Sequence, residues 1–297
     1  MASLSLSHRI SSPQRRGTLK PVRIFMYVIM VGAALYFLFS LVWLLMAATK
    51  SNADLYISPG FWFANHFSLF ANIQQLLTYD GGIYLQWLGN TFLYAGGCAC
   101  ISTLISALGG YALAKYAFRG KKLIFNVILG TVLIPSTVLV LPLYLLMSGL
   151  HLTNTYWSVL LPQLFSAFGI WFARIYADAS IPDELLDAAR IDGASELRIF
   201  FTQGLRLMSP ALATVFLLHF TGVWNNFFLP LMMLSNEHLY PLTVGLMIWN
   251  GTGSDATYTL TNLVIAGSLI SSLPLVLSFI FLQRYWRNGL SLGSVVG

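Results

Sequence analysis

Six stretches of this chain stay apolar long enough to cross a bilayer, and no other feature narrows its fold so far. Crossing ~30 Å of hydrocarbon takes ~20 helical residues. The six run over Ile24–Ala48, Leu88–Tyr116, Leu123–Met147, Tyr156–Tyr176, Pro210–Leu234 and Leu260–Leu282. Lipid offers the backbone no hydrogen bonds, so isolated strands cannot span it, and no ten-residue alternation of the barrel kind is present. The expected fold class is all-α: a polytopic membrane protein with six transmembrane helices. Composition agrees, because a chain of 297 residues that is 57% hydrophobic and 9% charged has too little charge to coat a water-soluble globule.

The cations set the expected orientation. Arg9, Arg15, Arg16, Lys20 and Arg23 precede the first helix. Lys115, Arg119, Lys121 and Lys122 follow the second, and Arg174, Arg190, Arg198 and Arg206 fall at or after the end of the fourth. Arg284 and Arg287 follow the sixth, and only Lys50 lies across the membrane from the other fifteen of the 16. The positive-inside rule then places both termini in the cytoplasm. Such a distribution also argues against a nucleic-acid surface, which would gather the net charge of +6 on one patch. The first apolar run is too long for a cleaved leader and reads as a retained helix.

The expected layout is a basic cytoplasmic segment over 1–23, a first helix over 24–48, an extracytoplasmic loop over 49–87, a membrane core of five helices over 88–282 that includes a cytoplasmic segment over 178–208, and a cytoplasmic tail over 283–297. The outer loop near Ser235–Thr259 mixes aromatics with Gly, Asn and Asp, a composition that suits an exposed binding surface or an ordinary solvated loop. Cys98 and Cys100 are two positions apart on one helix, so they point to different faces and read as small packing residues.

The spans contain no acidic residue. His219 is the only ionisable side chain expected near mid-membrane, and a histidine bonded to a neighbouring helix is the simpler reading of it than a proton relay. Neutral polar residues are frequent instead, among them Asn90, Thr91, Gln163, Asn225, Asn226 and Asn262, suited to helix packing or to a wet path for a hydroxyl-rich solute. Trp224, Asn225 and Asn226 are the candidates for that path, combining an aromatic face with amide donors and acceptors. No phosphate-binding loop, metal cluster, nucleophile with a base or dinucleotide fingerprint occurs, so the chain is expected to be no enzyme and to bind no cofactor. Three classes stay open on this basis: a transport subunit driven through contact with another protein, a secondary transporter, and a membrane assembly protein.

One segment breaks the apolar pattern. Six of the ten acidic residues, Asp178, Asp183, Glu184, Asp187, Asp192 and Glu196, fall between positions 178 and 196. Pro182 suits a first helical turn, Asp183 and Glu184 favour the positive end of a helix, and Gly193 suits the chain reversal after it. A second short helix is expected from Glu196 towards Met208. Small Ala188, Ala189, Gly193 and Ala194 would let another backbone approach closely.

The run Ile181–Pro210, "IPDELLDAARIDGASELRIFFTQGLRLMSP", closely resembles the EAA loop of permease subunits in binding-protein-dependent ABC importers. Asp187, Ala188, Ala189 and Gly193 occupy the first motif positions, while Leu205–Arg206 stands where the family has Leu-Pro and Val296 stands where a lysine is usual. The stretches "NTFLYAGGCACISTLISALGGYALAKYAFRGKK", "VLIPSTVLVLPLYLLMSGLHLTNTYWSVLLP" and "WNNFFLPL" resemble the carbohydrate-uptake branch, the maltose-type second permease in particular. That resemblance implies a type I ABC importer permease fold in the bacterial inner membrane. It also implies a second permease subunit, two cytoplasmic ATPases that bind ATP and Mg, an extracytoplasmic solute-binding protein and a carbohydrate substrate. Asp183, Glu184, Asp187, Ala188, Ala189, Asp192, Gly193 and Ala194 would then couple the chain to an ATPase, and the tail from Gly289 would reach between the two ATPases.

Overall fold

A computed structural model describes residues 21–251 and 254–289. Arg9, Arg15, Arg16, Lys20 and the tail Leu290–Gly297 lie outside the described residues. Fourteen α-helices make up the described chain, with no strand among the described residues. The first span is α1, Pro21–Ala48. Two shorter helices follow it, α2 at Asn52–Ile57 and α3 at Leu69–Thr78, and then the second span, α4, at Ile83–Lys115. The expected loop over 49–87 is therefore largely helical.

The third expected span is not one straight helix. Its two parts, α5 at Lys121–Val132 and α6 at Val140–Gly149, belong to segments bent by 99° at the break between them. Pro135 supplies the cause: its ring disfavours helical geometry at Ile134, and Pro135 itself sits at ψ 128°. The fourth span is divided more gently into α7 at Tyr156–Gln163 and α8 at Ala167–Ser180, with Pro162 inside the first and Ser166 Oγ accepting from Gly169 N at 3.0 Å to start the second.

The acidic segment forms α9 at Asp183–Ile191 and α10 at Glu196–Ile199. The expected second short helix is not separate from the membrane. One π turn, Phe200–Gly204, joins α10 to α11 at Leu205–Trp224, so the fifth span starts well before Pro210 and ends at Trp224 instead of Leu234. After a break come α12 at Phe228–Met233, α13 at Leu242–Gly251 and the last span, α14, at Ser254–Gly289. Among the described residues, five helical segments are long and apolar enough to cross a membrane, or six when the bent pair is counted as one span.

The centre of the bundle is built on small residues. Ser102, Ser106 and Gly110 on α4 face Gly169, Ala173 and Ala177 on α8, each set spaced by four, and all but Gly110 and Gly169 are 0% exposed. Lipid provides no hydrophobic push between helices, so close backbone approach supplies the van der Waals contact instead. Cys98 is buried and Cys100 exposed, on different faces as their spacing requires.

The stretch expected as an exposed surface near Ser235–Thr259 is, up to Gly251, packed against α4. Trp87 Nε1 donates to Glu237 O at 2.8 Å, Asn90 Nδ2 to His238 O at 2.8 Å, and Tyr94 OH to Leu239 O at 2.9 Å, while Thr91 Oγ1 accepts from Leu242 N at 2.8 Å. Four side chains at i, i+3, i+4 and i+7 on one face of α4 thus satisfy an irregular backbone that lipid would leave unpaired. Leu242, Val244 and Trp249 are buried as a result.

Candidate functional site

The acidic helix is shaped at both ends by contacts the sequence spacing did not reveal. Pro182 occupies the N-cap of α9, one place before the first turn. Asp183, the next residue, takes a hydrogen bond and ion pair from Lys115 Nζ at 2.8 Å. Lys115 is the last residue of α4, so the start of α9 is tied to the end of the second span. The bonded ammonium holds the Asp183 carboxyl below the usual carboxylate range. Its folded value is depressed, so the tie is complete at neutral pH and is lost as acid protonates the group.

The far end of α9 closes as a Schellman motif. Ala194 N donates to Ala189 O and Gly193 N to Arg190 O, each at 3.0 Å, and Gly193 has φ +75°. That left-handed conformation suits glycine, which has no Cβ to clash. Arg190 then gathers two further acids: Nη1 donates to Asp187 Oδ1 at 2.8 Å and Nε to Glu196 Oε1 at 2.7 Å. The two carboxylates and their hydrogen bonds hold the guanidinium firmly in its charged form. Tyr116 OH donates to the other Glu196 oxygen at 2.7 Å, a second tie to the end of α4.

One face of α9 is therefore committed inward. Leu186 and Ala189 are 2% and 6% exposed, packed with Ile181, Ile199, Phe200 and Met208. Ala189 faces away from any partner, although its small size made it a contact candidate. The outward face carries Glu184, Ala188, Asp192 and Gly193, together with Ile191, which is 86% exposed. Beyond its chain neighbours, no described atom lies within 4 Å of the position a Cβ would take at Gly193. Among the described residues, no cation forms an ion pair with Asp178, Glu184 or Asp192. Replacing Arg190 by alanine is expected to leave Asp187 and Glu196 without their shared cation and to loosen the turn. Hydrogen exchange at the Ala194 amide should rise about two- to fivefold, as befits exposed ion pairs, with α11 unaffected. Unchanged exchange would mean that the Arg190 pairs do not hold the turn.

A second site lies where the third, fourth and fifth spans break. The three breaks surround a groove of about 530 Å³ whose polar lining includes Ser136, Thr137, Gln163, His219 and Asn226. Asn226 Nδ2 donates to Gln163 Oε1 at 2.9 Å, and His219 Nε2 shares a hydrogen bond of 2.7 Å with Gln163 O. The histidine is thus bonded to a neighbouring helix. The sequence-derived trio is split two to one by the fold. Trp224, 3% exposed with its ring packed on Phe92 and Phe220 at centroid distances of 5.0 and 5.3 Å, and Asn225, exposed at the end of α11 and donating to Thr221 O at 2.8 Å, line a different groove of about 420 Å³ beside Ser268, Ser271 and Ser272, whereas Asn226 lines the first. By sequence Gln163 is one of many polar residues suited to packing or to a wet path, and His219 is not placed on the path at all. The signal that singles out Gln163 is Pro162 beside it, because a helix break exposes polar groups to whatever the bundle encloses.

Six apolar segments around polar grooves, with one charged helix anchored to the ends of the spans, define a membrane transport subunit. Residues 102–290 match the family described as the binding-protein-dependent transport system inner membrane component, and the chain belongs to that family. It is 39% identical to the arabinooligosaccharides transport system permease protein of Halalkalibacterium halodurans, over 73% of this chain and 76% of that one. It is 31% identical to the protein of the same description in Bacillus subtilis, over 93% and 96% of the two chains. The lactose transport system permease protein of Rhizobium radiobacter is 28% identical over 91% and 94%. Among solved structures, a chain of a bacterial ABC transporter involved in the import of the acidic polysaccharide alginate superimposes with a TM-score of 0.78 at 25% identity, covering 91% of this chain and 99% of that one. The fold is that of a type I ABC importer permease.

Proposed function

We propose that this chain is one of two permease subunits of an ATP-driven importer of neutral carbohydrate, delivered by an extracytoplasmic solute-binding protein. The single observation that carries the reading is the attachment of α9. Lys115–Asp183 binds it to α4 and Tyr116–Glu196 binds the start of α10 to the same end, its buried face packs near α8, and one continuous helical path leads from α10 into α11. A push on its outward face moves three spans together.

The outward residues Glu184, Ala188, Ile191, Asp192 and Gly193 are the ATPase contact in this reading, and Asp183, Asp187, Ala189 and Ala194 shape the helix that presents them. Two cytoplasmic ATPases bind ATP and Mg and supply the energy. Their closure drives alternation between inward-open and outward-open states. Orientation follows the cations: α9, both termini and the 117–122 turn face the cytoplasm. The layout 1–23, 24–48, 49–87, 88–282 and 283–297 remains the proposed division of the chain, with the end of the fifth span moved to Trp224.

Carbohydrate as the solute is supported by the oligosaccharide and lactose relatives and by the groove, whose polar groups are neutral amides, hydroxyls and one imidazole. Co-expression with the partner subunits and reconstitution test the reading. ATP hydrolysis should rise when the binding protein carries an oligosaccharide and stay basal with an empty one; no response to any of a panel of neutral sugars would count against it. Asn226→Leu should cut transport at low solute by about 5- to 30-fold, the effect of losing ~1–2 kcal/mol of hydrogen bonding to a hydroxyl. Transport at the wild-type rate would remove Asn226 from the path.

A further inference from the structure

Between Asp54 and Asp80 the chain has no Asp, Glu, Lys or Arg, yet Phe61, Trp62, Phe63, Phe67 and Phe70 are each at least half exposed. Exposed aromatics gathered this densely mark an interaction surface. Its depth can be bounded. The ring of Phe61 stacks on Phe39 of α1, with centroids 4.7 Å apart and planes 25° from parallel. Phe39 lies nine residues before Ala48, where α1 ends, a drop of about 13 Å at ~1.5 Å per residue. The 28 residues of α1 span ~42 Å and so exceed ~30 Å of hydrocarbon by ~12 Å. Even if the whole excess projected at this end, Phe61 would sit at the hydrocarbon boundary, and any sharing between the two ends places it deeper.

The backbone of the loop is equipped for that position. Lys50, 2% exposed, donates from Nζ to Pro59 O at 2.7 Å; Ser58 N donates to Asp54 O at 2.9 Å and Trp62 N to Pro59 O at 3.3 Å. Non-helical backbone at membrane depth requires such partners. The loop continues the surface of α1, whose residues 21–40 are exposed around the whole helix in this single chain and apolar on every side except at Arg23 and Ser40. Aromatic rings are also the residues that settle at the junction of headgroups and acyl chains.

We infer that residues 58–70 form an aromatic anchor dipping into the outer leaflet, with lipid at the headgroup–acyl boundary as its partner. The anchor is linked to the transport core. Asn72 Nδ2 donates to Ala48 O at 2.9 Å and Lys50 O at 2.8 Å, and Asn262 Nδ2 donates to Asn72 Oδ1 at 3.1 Å. The outer ends of α1, α3 and α14 are thereby held at one depth while other spans move.

The test uses the assembled importer in lipid nanodiscs, with Cys98→Ala, Cys100→Ala and a single bimane-labelled cysteine from Trp62→Cys or, as a second site, Phe70→Cys. Bimane at Glu237→Cys, exposed on the same end of the bundle, is the aqueous control. Phospholipid carrying a nitroxide near the top of its acyl chain should quench both anchor sites at least threefold more than a water-soluble nitroxide does, with the order reversed at 237. Stronger quenching by the soluble reagent at both anchor sites would make this a solvated loop and overturn the inference. Protection from both quenchers, with a photocrosslinker at 62 capturing another subunit, would overturn it in favour of a protein interface.

Discussion

Replacing Gly110 by leucine is expected to remove folded permease from the membrane. A Cβ at 110 would lie 2.6 Å from Ala173 Cβ and 2.7 Å from Arg174 N, and the second neighbour is backbone that cannot rotate away. Space could come only from separating α4 and α8, the pair on which the small residues at 102, 106, 169, 173 and 177 converge. Overpacking costs ~1–3 kcal/mol where side chains can shift, and a backbone obstacle places this site at about 3 kcal/mol or more, enough to exhaust much of a marginal stability. Gly130→Leu is the control, because nothing lies within 4 Å of a Cβ there. Membrane abundance and thermal unfolding in detergent should separate the two variants; equal values would show that the crossing is looser than this packing implies.

The spans were legible because crossing a bilayer sets a length, and hydropathy measures length well. It does not register direction. The third apolar run stays apolar from Leu123 to Met147 although its two halves are bent by 99°, and Pro135 alone does not distinguish a kink from a full turn. The fifth span was misplaced for the opposite reason. Polar Thr202, Gln203 and Arg206 lower hydropathy where α10, the π turn and α11 run on as one helical path. Asn225–Phe227, where the path ends, is flanked by apolar residues that hide the break.

The acidic segment was legible as a helix with a glycine stop, since caps and charge position are local properties. Its attachments were not. Arg190–Asp187 is an i,i+3 pair that spacing allows, but Lys115–Asp183 and Tyr116–Glu196 join residues 68 and 80 positions apart. That difference changes what the acids mean. Asp183, Asp187 and Glu196 are already bonded within the chain, so their charge organises the turn, and the outward surface is a mixture of Glu184, Ala188, Ile191, Asp192 and Gly193.

The same distinction governs the prediction at Gly193, where valine is expected to lower solute-stimulated ATP hydrolysis by about tenfold or more while leaving the protein in the membrane. Open space around its Cβ rules out crowding from within the chain. The cause is conformational: φ of +75° is strongly unfavourable for a β-branched residue, by ~1–3 kcal/mol. Relieving it means abandoning the Schellman bonds from Ala194 and Gly193, which would let α9 turn and carry Ala188 and Ile191 out of register with a docked partner. Asparagine tolerates the left-handed region far better than valine, so Gly193→Asn should keep a large part of the stimulation, with Gly193→Ala between the two. Should asparagine prove as damaging as valine, the limit at this position is a close approach by the partner and not backbone strain. If valine leaves stimulation and ATPase copurification unchanged, α9 is not the element through which force enters the membrane.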